Sequence, residues 1–252
     1  YLSAGEHYVT AAVCYHFGKF LFVNNPEQMK STHLKAVESY SKALPWLSPA
    51  GERVSIPYGT HLLYGHLRKP VGVEKPPVVI LIMGLDSAKE EMFNNEPLFL
   101  NRGMATLTFD GPGQGEAEYE LPICPEYEKP VQAVIDYVNT RKELDTNRIG
   151  LWGVSMGGYY APRAAAFCSD LKGCIALSGP FDVGLCYDSL PGLTRSCFDY
   201  RSGGSDEKNI RQIASRMSMR EVASQITCPL FIVSGALDRV IPSEHAAMLE
   251  KA

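Results

Sequence analysis

Ser155 stands at the centre of Gly153-Val154-Ser155-Met156-Gly157. A serine hydroxyl is a weak nucleophile until a neighbouring base takes its proton. A G-x-S-x-G arises by chance on the order of 0.1 times in a chain this long, so the five residues alone are weak evidence. Their setting is more specific. The apolar run Ile149-Gly150-Leu151-Trp152 precedes them, and a helical segment with Tyr159, Ala161 and Ala164 follows. Strand, tight turn and helix in that order present a serine Oγ at the strand's carboxyl end, with a helix N-terminus favouring negative charge beside it. The rival reading is a Gly-rich turn without chemistry.

A serine nucleophile needs two backbone N–H groups for the oxyanion, a base, and an acid that orients the base. Met156, directly after the serine, is one candidate donor. Leu85 in Met83-Gly84-Leu85-Asp86, after the apolar run Val78–Met83, is the other. The acid is expected after a later strand. Leu230-Phe231-Ile232-Val233-Ser234-Gly235-Ala236-Leu237-Asp238 offers Asp238, with Asp182 as the alternative. The six histidines are His7, His16, His33, His61, His66 and His245. Five precede the serine, and His245 follows Asp238 on the next helix, where a surface role is expected. The base is therefore expected beyond Ala252, where the chain stops inside an uncapped helix. Asp110-Gly111-Pro112-Gly113-Gln114-Gly115-Glu116 lacks the G-x-G-x-x-G spacing of a dinucleotide loop and reads as a structural loop beside the site.

The elements that must position these residues are legible as alternation. Residues 3 to 48 read as two helices, the first capped by Ser3 with Ala11, Ala12, Tyr15, Phe17 and Leu21 as apolar positions, the second opened by Pro26. Arg53–Pro57 and His61–Leu67 flank Tyr58-Gly59-Thr60 as a hairpin. Then follow strand Val78–Met83, helix Lys89–Arg102, strand Met104–Phe109, helix Tyr127–Arg141, strand Ile149–Gly153, helix Met156–Cys168, and strands Gly173–Leu177 and Leu230–Ser234. This pattern predicts an α/β fold with a mainly parallel sheet. Residues 180 to 223 break the alternation and read as a cap over the sheet's carboxyl edge, or as a partly disordered loop. The expected organisation is an N-terminal helical segment over 1–50, core over 51–180, cap over 181–222 and truncated core over 223–252. Phe181, Tyr187, Phe198 and Tyr200 in the cap are candidate substrate-binding rings, with cap packing as their plainer role.

Composition narrows the partners. In 252 residues, 24 Lys plus Arg against 28 Asp plus Glu give a net charge of −4, which excludes a strongly basic nucleic-acid or anionic-membrane footprint. No apolar run reaches the length of a membrane span. Seven cysteines without a C-x-x-C pair read as a reduced, cytoplasmic set and not as a zinc site. The expectation is a small-molecule substrate, no cofactor and no metal, with a homodimer left open.

Four segments together carry a resemblance: Ser3-Ala4-Gly5-Glu6-His7, Gly84-Leu85-Asp86-Ser87-Ala88-Lys89-Glu90-Glu91, Phe109 to Glu116, and the serine motif. The chain resembles the α/β-hydrolase family of 2,6-dihydroxypseudooxynicotine hydrolase and the fungal yellowish-green polyketide-shortening hydrolases. Met83 departs from the histidine usual there. The resemblance implies an α/β-hydrolase fold with a cap, a longer parent chain, and hydrolysis of a C–C bond beside a ketone in an aromatic or polyketide substrate. A carboxylesterase and a catalytically idle partner-binding protein are the alternatives.

Overall fold

Strand Pro77–Ile82 explains how the sheet divides the interior. Val78, Ile80 and Ile82 enter one apolar cluster, while Val79, Leu81 and Met83 enter another with Met92 and Trp152. Successive strand residues point to opposite faces, so a strand with both faces covered is apolar throughout.

The computed structural model describes residues 2–20, 22–204 and 206–252. In chain order the elements are α1 (Leu2–Lys19), α2 (Pro26–Ala43), β1 (Gly51–Tyr58), β2 (His61–Arg68), β3 (Pro77–Ile82), α3 (Glu96–Leu100), β4 (Ala105–Phe109), α4 (Glu128–Asn139), β5 (Asp145–Val154), α5 (Gly157–Phe167) and β6 (Leu171–Leu177). They continue with α6 (Val183–Cys186), α7 (Gly192–Arg201), α8 (Glu207–Arg216), β7 (Leu230–Val233) and α9 (Glu244–Lys251). The sheet order is β1-β2-β4-β3-β5-β6-β7. β1 and β2 are antiparallel, β2 meets β4 antiparallel, and the remaining pairs are parallel. The predicted α/β fold is the observed one.

Chain order reverses around β3, with β4 on one side and β5 on the other. Open α/β sheets bind ligands at such a switch point, outside the strands' carboxyl ends. Ile82 pairs with Gly153 in register. Two residues further along each strand, Gly84 and Ser155 therefore emerge side by side.

Local expectations fared unevenly. Asn25 caps α2 by accepting from Gln28 N at 3.1 Å, with Pro26 at the first helical position. Ser3 does not cap α1, which already includes it; its carbonyl instead accepts from the His7 ring. Leu21 lies outside the described residues. The helix expected over Lys89–Arg102 is a 3₁₀ turn, Lys89–Asn94, followed by the short α3. Pro97 interrupts it, since proline offers no N–H to continue a helical ladder; Asp110 accepts the free first N–H, that of Lys89, at 2.9 Å. Residues 180–223 carry three helices rather than a loop.

Helices α1 and α2 have their own small apolar cluster of Val9, Ala12, Tyr40, Ala43 and Leu44. They join the rest of the molecule mainly through buried charge. His16 meets Glu91 at 3.1 Å, Lys19 meets Glu118 at 3.7 Å, and His33 meets Glu90 at 3.6 Å. Lys89, fully buried, holds Glu90 at 2.8 Å, Asp110 at 2.8 Å and Glu116 at 2.6 Å. Burial alone would lower the Lys89 pKa, but the three carboxylates outweigh it and raise the pKa above its ordinary value. Among the described residues, no helix is long and apolar enough to cross a membrane.

Candidate active site

Ser155 sits at the turn from β5 into α5 with φ +57°, in the left-handed region that a side chain normally avoids. Holding a non-glycine residue there costs about 1–3 kcal/mol, so the surroundings must enforce it. They do so through the backbone. Ser155 N–H donates to Leu177 O at 2.8 Å, and Ser155 O accepts from Gly158 N at 2.7 Å. The side chain is half-buried and stands where a nucleophile must, beyond the sheet's carboxyl edge.

Gly84 faces it across the β3–β5 pair. A Cβ on Gly84 would lie 3.0 Å from Ser155 Cβ and 3.3 Å from Oγ, so only glycine lets the two loops approach this closely. Leu85, the next residue, and Met156 are both buried. The two expected oxyanion donors thus flank the serine from the two adjacent strands.

Asp238 follows β7, and its Oδ1 accepts from Val240 N at 2.9 Å and Ile241 N at 3.0 Å. Asp182, the alternative acid, is committed elsewhere. It caps α6 through Leu185 N at 3.2 Å and binds Ser218 Oγ at 3.0 Å and Arg220 Nε at 2.9 Å. His245 is buried, which corrects the expectation of a surface residue. Its Nδ1 accepts from Phe181 N–H at 3.1 Å, so the neutral ring carries its proton on Nε2. Burial lowers its pKa, against the pull of Asp182 and Glu244. A triad histidine must instead donate from Nδ1 to its acid. Of the other five, His16 pairs with Glu91 and His33 with Glu90, His7 bonds Ser3 O, and His61 faces Glu120. His66 is buried against the Tyr40 ring, with neither ring nitrogen hydrogen-bonded among the described residues.

The cap rings are placed differently from one another. Tyr187 and Phe198 bury each other with ring centroids 5.6 Å apart, and neither shows a free face. Tyr187 OH donates to Asp199 at 2.7 Å. These two rings pack against each other within the 181–222 segment. Phe181 is buried beneath Arg220. Tyr200 borders a cavity of about 560 Å³ together with Pro26, Lys30, Glu118, Tyr119 and Arg201.

His33, Glu90 and Asp110 have ligating atoms within 4.8 Å of one another, a spacing a metal could use. The Lys89 ammonium already stands against both carboxylates at 2.8 Å and supplies the cation.

A mixed seven-stranded sheet of this order, with a left-handed serine at the end of the inner strand β5, defines an α/β-fold hydrolase. The model of the prolyl oligopeptidase family matches residues 91–252. The chain is 37% identical over 256 residues to 2,6-dihydropseudooxynicotine hydrolase of Paenarthrobacter nicotinovorans, covering 97% of this chain and 69% of that protein. The hydrolyase ccsE of Aspergillus clavatus is 34% identical over 204 residues, covering 74% of this chain and 46% of that one. The crystal structure of the 2,6-dihydroxy-pseudo-oxynicotine hydrolase superposes with a TM-score of 0.93 over 99% of this chain and 70% of its own. AbyA5, at 20% identity and a TM-score of 0.84, shares the fold. The chain belongs to this family of α/β hydrolases, alongside the 2,6-dihydropseudooxynicotine hydrolase and its fungal relatives.

The buried ion network is not evident from sequence: Lys89-Glu90-Glu91 and Asp110 to Glu116 hold its charges, but residue types of that kind ordinarily face water.

Proposed function

We propose that Ser155 is the nucleophile of a hydrolase that cleaves a C–C bond beside a ketone in an aromatic or polyketide-type substrate. The observation that supports the serine's role is its left-handed turn against Gly84, the residue before Leu85. The reaction class follows from the resemblance to the 2,6-dihydropseudooxynicotine hydrolase over nearly the whole chain.

In this reading Ser155 Oγ adds to the ketone carbon. The C=O π pair moves onto oxygen, and the N–H groups of Leu85 and Met156 hold that charge. The hydroxyl proton passes to a histidine base; among the described residues no histidine hydrogen-bonds Ser155 Oγ, and His245 is turned to Phe181 N–H. Asp238 orients that histidine; both backbone bonds to it end on Oδ1, which leaves Oδ2 for a ring N–H. When the oxyanion collapses, the C–C pair leaves with the departing carbon, which takes the proton from the imidazolium. Water then hydrolyses the acyl-serine. A carbanion is a poor leaving group, so an aromatic or β-keto partner must stabilise it. Tyr200 and Arg201 border a cavity whose lining does not include Ser155; its link to the site is Arg201, whose guanidinium donates to Leu85 O.

The test compares the full-length protein on an aryl 1,3-diketone and on short- and long-chain nitrophenyl esters. Preference for the diketone, with Ser155→Ala lowering kcat by roughly 10⁴- to 10⁶-fold, is expected. Faster kcat/KM on long-chain esters overturns the C–C reading in favour of a carboxylesterase. Failure of a fluorophosphonate to label Ser155 overturns the nucleophile and favours a binding protein.

A further inference from the structure

The loop after β4, Asp110 to Glu116, has no part in the chemistry above, yet it encloses one of the most constrained side chains near the site. Gln114 is 1% exposed. Its Oε1 accepts from Gly111 N–H at 3.3 Å and from the Tyr127 hydroxyl. Its Nε2 donates to Met83 O at 2.7 Å and Gly84 O at 3.0 Å. An amide N–H can only donate and a carbonyl can only accept, so one orientation of the carboxamide satisfies all the partners. Gly111 must lack a side chain here, because its Cβ would occupy the place of the Tyr127 hydroxyl.

Gly84 C=O and Leu85 N–H belong to the same planar peptide and point in opposite directions. A donor that fixes Gly84 O therefore fixes where Leu85 N–H points, and it polarises that N–H. The next carbonyl, Leu85 O, accepts from the buried Arg201 guanidinium, which also reaches Asp86 at 3.3 Å. Three consecutive carbonyls of the loop beside Ser155 are thus held by side chains. The far end of the clamp reaches the nucleophile's own helix, since Tyr127 stacks on Tyr160 of α5 at 3.7 Å between centroids and 13° between planes.

We infer that Gln114 is a positioning residue for the oxyanion hole, aiming Leu85 N–H at the oxygen that Ser155 creates. This rests on the reading of Ser155 as nucleophile and Leu85 as donor. The residue touches no reacting atom, so its contribution lies in the transition state and not in ground-state binding.

The experiment uses the full-length protein and two ligands. One is an aryl trifluoromethyl ketone, whose serine adduct carries an oxyanion. The other is the corresponding secondary alcohol, which forms no adduct. Gln114→Met keeps the volume and removes all four hydrogen bonds. Its kcat/KM should fall roughly 10- to 100-fold, less than the 10²- to 10³-fold that follows outright loss of a donor. The ketone's Ki should rise by the same factor, while the alcohol's Kd stays within about threefold. If Gln114→Met does not fold, Tyr127→Phe removes one of the two donors that orient the carboxamide and should give a smaller loss in the same ratio. A folded variant with kcat/KM within about threefold of the natural protein, or equal weakening of ketone and alcohol, overturns the inference. If the natural protein itself binds ketone and alcohol alike, the nucleophile reading has failed, and the inference falls with it for that separate reason.

Discussion

Lys89→Met removes a cation from the centre of the buried network while keeping most of the stem's volume. The three carboxylates it leaves behind do not suffer equally. Asp110 keeps the N–H groups of Lys89 and Glu116, each at 2.9 Å. Glu116 keeps the two-pronged Arg53 contact at 2.7 and 2.8 Å. Glu90, with no exposed side chain, keeps only His33 at 3.6 Å. The loss should resemble that of breaking a buried pair, about 3–5 kcal/mol at pH 7. Its pH dependence identifies the cause. Burial alone would raise the Glu90 pKa, but Lys89 and His33 hold it well below the ordinary 4.5. That contribution is present above pH 4.5 and is lost as pH falls through the folded value. Without Lys89, burial dominates and raises the Glu90 pKa, so the variant loses stability as pH climbs above 4.5. The gap between the two proteins should therefore widen by up to about 1.4 kcal/mol per pH unit from pH 4.5 upward. Adding Glu90→Gln should flatten that slope and restore part of the stability. Urea unfolding followed by circular dichroism at pH 5, 6 and 7 measures all three proteins. A Lys89→Met protein within about 1 kcal/mol of the parent at pH 7, or a deficit that ignores pH, refutes the reasoning.

The two candidate acids should separate cleanly. Asp238→Asn in the full-length protein should retain its fold and lose about 10⁴ in kcat, whereas Asp182→Asn, which keeps the cap and loses only the charge facing the half-exposed Arg220, should cost less than about 1 kcal/mol of stability and change kcat little; steady-state rates and melting curves decide, and the reverse pattern reassigns the acid. His66 is fully buried against Tyr40, its pKa lowered from 6.5 to about 3 by burial and then by the Lys89 charge. Only the unfolded chain takes up that proton as pH falls from 6.5 toward 3, so stability drops over this window by up to about 1.4 kcal/mol per pH unit. His66→Phe should remove that part of the slope, so in parallel acid titrations the stability difference between the two proteins should be constant above pH 6.5 and change between 6.5 and 3.

The chemistry-bearing turn was legible because it depends on local rules. A strand of period-two apolar residues, a Gly-flanked serine and a following helix are encoded within about fifteen consecutive residues around Ser155, and backbone sterics act at that range. The alternation that predicts a parallel sheet is legible for the same reason. The split of Lys89–Arg102 at Pro97 is a local effect that the proline itself signals, whereas the acceptor of the Lys89 N–H, Asp110, is set only by the fold. The cap rings show the limit most plainly. Tyr187 and Phe198 have the composition of pocket walls, and only the tertiary structure shows that they pack against each other. The buried network follows the same logic. Sequence supplies Lys89, Glu90, Asp110 and Glu116 as polar residues that ordinarily face water. The tertiary fold buries them and brings all three carboxylates within 3 Å of the Lys89 ammonium, where charge pairing offsets the cost of leaving water. Gln114 belongs with them: the sequence places it in a glycine-rich loop, but a carboxamide's role is set by what surrounds its two ends, and those partners come from three separate segments of the chain.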